Sequence, residues 1–432
     1  MVGNVIGSGI FLSPSGVTRN IGSVGGSLAV WAVMGLYNLV QALCYAELGT
    51  MIPWAGGDYT YIYEIIGAMP AFMCLWIHIV VISASSCAVI SRTAALYLIE
   101  PFNEGCHLQV ITILAAWIIV SLAFVNAFST IWAIRLQTFF TFCKVCALIV
   151  VIIVGAVQLG KGHVENFKNP FANTSTDPGA IALSSLDGYF AYKGWELINA
   201  LSEEMVNPAR DIPLMVWISM SLVTVIYVLT NAAYFTVLTP QDVCESDAVA
   251  LTFASRTMGR AMWIIPISVA LSAMGAVNGD FLGNSRYLLA GGRYHQMPQV
   301  MSFVHVKRYT PIVAIMLLCL LALVYCAFTQ LEKIQEYASL AVQLKMLLAL
   351  TALFYMRWKA PDLHRPVRVN TLLAVLTLLV MVALIVLSFL KDPVTTGIGV
   401  VVFLAGVPLY LLTRVCYRAR ATNSAMGALQ KM

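Results

Sequence analysis

The stretch MVGNVIGSGIFLSPSG, residues 1–16, sets an apolar run against an interruption at Gly7, Ser8 and Gly9. Glycine weakens a helix by about 1 kcal/mol relative to alanine and releases backbone groups from intrahelical pairing. In hydrocarbon, such N–H and C=O groups persist only where they line a cavity or hold a ligand. A membrane span broken here predicts a binding site at the break, the logic of carriers with discontinuous helices.

The rest of the chain supplies the membrane. Of 432 residues, 60% are hydrophobic and 10% charged, and the mean hydropathy is +0.84, a balance outside that of soluble domains. Apolar runs near the ~20 residues needed to cross a hydrocarbon core predict an all-α membrane protein of about twelve spans. They fall near 1–18, 27–49, 69–99, 109–128, 137–158, 181–202, 214–237, 263–290, 312–329, 336–356, 371–390 and 397–413. One polytopic domain, 1–413, is followed by a tail, 414–432.

Basic residues orient it. Arg357, Lys359, Arg365 and Arg368, and the tail with Arg414, Arg418 and Arg420, fall on one side, while Glu100, Glu104, Glu165 and Asp177 fall on the other. The positive-inside rule then places both termini in the cytoplasm. The net charge of +5 is accounted for by topology, and nothing points to nucleic acid. The start lacks the basic leader and cleavage site of a signal peptide. With few residues ahead of its glycine break the first span reads as shortened, which keeps a nontransporting membrane partner among the alternatives.

Most of the ten cysteines, Cys74, Cys87, Cys143, Cys146 and Cys319 among them, lie in apolar spans, where a thiol acts as a small hydrophobe. No paired CxxC spacing suggests a metal, and no cofactor is implied. Cys106, in PFNEGCH (101–107), and Cys244, in TPQDVCESD (239–247), fall in loops assigned to the exterior. They are open either to pairing with each other or, for an unpaired thiol, to an intermolecular disulfide.

A second interruption lies in the sixth span, where Gly188 and Gly194 bracket an aromatic cluster around Lys193. Asp187, Lys193 and Glu196 each cost a few kcal/mol facing lipid (about 3 on insertion scales), so this segment faces protein or water. Breaks in the first and sixth spans, five apart, are the placement expected of two inverted five-helix repeats, here 1–158 and 181–356, with two further helices in 371–413.

GSGIFLSPSGV (7–17), LCYAELGTMIPWAGGDYTYIYEIIG (43–67), YFAYKGW (189–195) and SEEMVNPARDIP (202–213) resemble the light subunits of the heteromeric amino acid transporters, within the amino acid, polyamine and organocation superfamily. The resemblance runs from Gly3 through the twelfth span. It implies a leucine-transporter-type fold, obligatory exchange of amino acids at the plasma membrane, and a disulfide, through Cys106, to a single-pass heavy-chain glycoprotein. It further implies that Phe190 is an aromatic gate. Lys144, in TFFTFCKVCALIV (138–150), would stand where sodium-coupled relatives hold their ion, bridging the first and eighth spans. Lys193 stands where transporters of dibasic amino acids carry an acid and large-neutral transporters carry glycine.

The residues at the breaks suit a zwitterion. N–H groups around Ser8, Gly9 and Ile10 can donate to a carboxylate at a positive helix end, and the carbonyls of Val5, Ile6 and Phe190, expected to be unpaired, can accept from an ammonium. Phe190, Tyr192, Lys193 and Trp195 are then expected to set side-chain selectivity, favouring neutral and aromatic amino acids. Cystine, dibasic or acidic amino acids remain alternative cargo.

Other polar residues carry structural expectations. His78, Arg92 and Arg286 are read as hydrogen-bonding or interface groups; Glu203, Glu204 and Arg210 as a cytoplasmic latch or helix cap; and Asn173 heads an N-x-S sequon. Lys345 sits where related transporters place neutral residues and has no assigned role. No HExxH or nucleophile elbow supports an enzyme. A channel is not excluded by broken helices, and trans-stimulation separates the two.

Overall fold

The structure is a computed structural model that describes residues 1–99, 108–246, 248–328, 331–391 and 393–413. All regular structure among these residues is helical. Nine helices have the length and apolarity of membrane spans. With the two broken spans and the shorter Ile312–Cys326 helix, they account for the twelve expected positions.

The first span is two helices, α1 (Val2–Val5) and α2 (Gly9–Ile21), separated at Ile6–Ser8. Next come α3 (Val24–Met51) and a short helix, α4 (Gly57–Ile65), in the following connection. The third span is composite: α5 (Ala68–Trp76), a π-helical stretch Ile77–Ser83, and α6 (Ala84–Ile99). The fourth and fifth are α7 (Leu108–Phe128) and α8 (Thr130–Gly160). The sixth is again split, into α9 (Pro178–Ala191) and α10 (Leu197–Ala200). Asp177 caps α9 through Ala180 N–H, with Pro178 at the first helical position, where the missing donor costs nothing.

The seventh span, α11 (Pro208–Phe235), leads to two loop helices, α12 (Pro240–Glu245) and α13 (Val249–Thr257). A capping box between Thr239 and Asp242 starts α12. Arg256 of α13 grips the same carboxylate at 2.6 and 3.1 Å. The guanidinium and the Thr239 hydrogen bonds hold Asp242 well below the usual carboxylate range. Then follow α14 (Ile264–Arg293), α15 (Ile312–Cys326), α16 (Leu331–Lys359), α17 (Thr371–Lys391) and α18 (Pro393–Leu404), the last span continuing to Thr413.

The breaks lie inside a shell of whole helices. α2 packs on α9, α11 on α3, and α14 on both α6 and α8. Arg357 and Arg365, which orient the chain in the sequence reading, turn inward: Arg357 Nε donates to Glu47 Oε1 at 3.0 Å and Arg365 Nε lies 3.7 Å from it. Val369 N–H donates to Glu47 Oε2 at 2.9 Å. Glu47 is fully buried and Arg357 nearly so.

Removing one partner of a buried ion pair leaves an uncompensated charge, at a cost of about 3–5 kcal/mol. Glu47→Gln is therefore expected to lower the thermal midpoint of the detergent-purified protein sharply. An unchanged midpoint would show that the cluster is not a structural clamp.

Candidate functional site

The two breaks touch. A Cβ on Gly9 would come within 2.7 Å of Ala191 Cα, and one on Gly194 within 2.6 Å of Asn4 O, so larger residues would force the breaks apart. Gly194 also has φ +104°, a conformation that side chains disfavour. Tyr227 of α11 stitches the junction, its hydroxyl 3.0 Å from Val5 O and 3.2 Å from Ala191 O.

At its centre stands Lys144 of α8, fully buried. Its ammonium donates to Gly3 O at 2.8 Å, Ile6 O at 2.6 Å and Ser272 O at 3.1 Å. Three N–H groups meet three carbonyls, which matches the donor count of a protonated amine. The side chain turns into the protein and does not snorkel toward an aqueous face. Ser272 adds a second tie, its hydroxyl donating to Gly7 O at 3.1 Å.

A chain of amides extends this joint. Asn126 donates to Asn278 Oδ1 at 2.8 Å, Asn278 to Gln137 Oε1 at 2.8 Å, and Gln137 to Asn4 Oδ1 at 2.8 Å. Spans four, eight, five and one are thereby joined by a run of hydrogen bonds with one direction.

The helix end of α2 keeps its donors. Ser8, at the N-cap position, makes no side-chain cap, and the N–H groups of Ser8, Gly9 and Ile10 meet no acceptor among the described residues. Free donors at the start of a helix suit an anion such as a carboxylate.

The carbonyls differ from expectation. Val5 O accepts from Tyr227, Ile6 O from Lys144, and Phe190 O from Lys193 N–H at 3.2 Å, so none of the three is unpaired. Val5 O also accepts from Gly7 N–H at 2.9 Å, and Phe190 O from Tyr192 N–H, so a ligand ammonium there would share occupied acceptors.

The aromatic expectation also needs correction. Tyr192 and Trp195 are fully buried. Tyr192 donates to Trp31 O at 2.9 Å and packs on Tyr227, and Trp195 donates to Asn38 Oδ1 at 3.1 Å and meets Tyr45 edge-on. Both rings anchor the broken span to α3 and α11 and present no surface to a cavity. Phe190, 38% exposed, does present one. Lys193 is partly exposed, its ammonium 5.5 Å from the centres of the Tyr189 and Phe190 rings, and Glu196 acts on it electrostatically.

Beyond the break, the C-terminal end of the sixth span is tied to α14. Glu204 pairs with Arg286 at 2.7 Å and Glu203 with Arg293 at 2.7 Å, so the latch partners are on the eighth span in place of Arg210. A cleft of about 280 Å³ opens beside these pairs; a second, of about 310 Å³, lies against α3 and α9. His78 and Arg92 make protein contacts, with Asn284 and Phe328 O respectively. Cys106 lies outside the described residues, and no described cysteine is in a disulfide. Sequence reasoning missed Tyr227, Ser272 and the amide chain, because uncharged polar residues in apolar spans carry no signal until their distant partners are known.

Residues 1–412 match the family described as amino acid permease. The human large neutral amino acids transporter small subunit 2 is 42% identical over 423 residues, covering 95% of this chain and 78% of that protein. The human cystine/glutamate transporter is 40% identical over 414 residues, covering 95% and 83%. The mouse Asc-type amino acid transporter 1 is 39% identical over 417 residues, covering 95% and 79%. The chain belongs to the amino acid permease family, and its work is that of a membrane transporter of amino acids, not of an enzyme.

Proposed function

We propose that the chain is the light subunit of a sodium-independent amino acid exchanger at the plasma membrane, with both termini cytoplasmic. The observation that carries this reading is the Lys144 ammonium held by carbonyls of the first and eighth spans. A fixed cation there supplies the charge that a bound sodium ion would otherwise bring. The amino acid carboxylate lies at the free N–H groups of Ser8, Gly9 and Ile10, and its ammonium shares the carbonyls of Val5, Ile6 and Phe190.

Side-chain preference falls to Phe190 and Lys193, both of which have open surface at the sixth-span break. Lys193 disfavours arginine and lysine: two like charges about 4 Å apart repel by about 4 kcal/mol at an effective dielectric near 20. Phe190 offers an apolar face to neutral and aromatic side chains. The names of the relatives span neutral amino acids and cystine with glutamate, and Lys193 is the group on which an acidic side chain would pair. The partner is a single-pass heavy chain joined through Cys106.

In liposomes loaded with amino acid, replacing external sodium by choline is expected to leave uptake unchanged, and internal amino acid to accelerate it. A steep sodium requirement, or uptake indifferent to internal substrate, contradicts the reading. Lys144→Ala removes three charge-assisted bonds, each of about 1.5–3 kcal/mol, and is expected to cut turnover more than surface level.

Selectivity has its own assay, uptake of arginine, tyrosine and glutamate side by side. Lys193→Asp is expected to raise arginine relative to the other two, and robust wild-type arginine uptake unaltered by the substitution would remove Lys193 from the site. Nonreducing electrophoresis of the co-expressed subunits should give a high-mass band that Cys106→Ser abolishes. A band that survives that substitution rejects Cys106 as the link.

A further inference from the structure

We infer that Lys345 is a positioning residue for transport: through Asp58 it fixes the short helix α4, on which the inner half of the sixth span seats. The inference rests on the transport reading above.

Lys345 of α16 is 1% exposed, and its ammonium lies 2.9 Å from Asp58 Oδ2, itself fully buried at the start of α4. The same ammonium lies 3.0 Å from His78 Nδ1 in the π-helical stretch of the third span. An ammonium only donates, so Nδ1 must accept, and the single ring proton of a neutral His78 sits on Nε2. Nε2, 2.9 Å from Asn284 Oδ1, then donates to it, and the Asn284 amide donates onward to Ser83 Oγ at 2.7 Å. The His78 ring stacks on Tyr287 at 4.1 Å. One lysine thereby fixes a tautomer, an amide orientation and the register of four elements: α16, α4, the π-helical stretch and α14.

The consequence for transport lies at the other side of α4. Its first residue, Gly57, packs so that a Cβ would be 2.7 Å from Tyr287 Oη and 3.4 Å from Ala200 N. Ala200 ends α10, the inner half of the broken sixth span. With Asp58 held by Lys345, α4 is a fixed stop. With the pair gone, α10 has a softer seat, and the state in which the inner end is shut by Glu203 and Glu204 loses population.

The test separates positioning from folding. Asp58→Asn and Lys345→Met alone each strand a buried charge and are expected to reduce the amount of protein. The double variant removes both charges and so leaves neither one buried without its partner. It is expected to reach the surface at wild-type level while its external KM rises at least about threefold, because the apparent affinity falls with the fraction of carriers facing outward. Hydrogen exchange of residues 57–65 and 197–204 in the purified double variant is expected to quicken at least about threefold, and this readout does not depend on transport. A double variant with wild-type external KM and wild-type exchange in both segments would overturn the proposal. Absence of uptake by the wild-type protein would instead strike the exchange reading, leaving the hydrogen-exchange result to decide the role of Lys345.

Discussion

A buried ammonium donating to three main-chain carbonyls is the interaction on which this architecture depends. Lys144 meets Gly3 O, Ile6 O and Ser272 O, and so holds a broken first span against unbroken fifth and eighth spans. A helix interrupted inside a membrane carries polar backbone that lipid cannot solvate. Here the solution is shared: the lysine and Ser272 take carbonyls of the first break, and the Tyr227 hydroxyl joins the first break to the second. Among the described residues, the N–H groups of Ser8, Gly9 and Ile10 at the start of α2 meet no acceptor, and there we place the ligand carboxylate.

The same principle recurs at three depths. Glu47 with Arg357 and Arg365 fastens the second span to the tenth and the connection after it. Asp58 with Lys345 fastens α4 to the tenth span. Glu203 and Glu204 with Arg293 and Arg286 tie the C-terminal end of the sixth span to the eighth. Charges that would each be prohibitive alone are placed where opposite charges meet them. The first two clusters are deeply buried; the last is partly exposed.

Much of this was legible in the sequence, for definite reasons. Span positions follow from apolar length, and the two breaks from glycines interrupting it; the structure places gaps at Ile6–Ser8 and between Ala191 and Leu197. Lys144 stood out as a cation within an apolar run, and its bridging role was what the family resemblance implied. The side-chain directions at the second break were not legible. Glycine announces that the backbone turns but not where Tyr192 and Trp195 point, and both went to the scaffold. Nor was Lys345 interpretable, since its partners Asp58 and His78 lie 287 and 267 residues away in the chain. The loop helix α4 is too short and mixed to show a period, and the π-helical stretch has no compositional signature.

The central claim is that the backbone at the two breaks holds both charged ends of an amino acid. Thermal stabilisation of the purified protein by a transported amino acid, compared with its methyl ester and its N-acetyl derivative, tests this most directly, because a ligand that binds the folded state raises the midpoint. The account predicts stabilisation by the parent compound and loss of it with either derivative, since each removes one charge. Equal stabilisation by all three would contradict it.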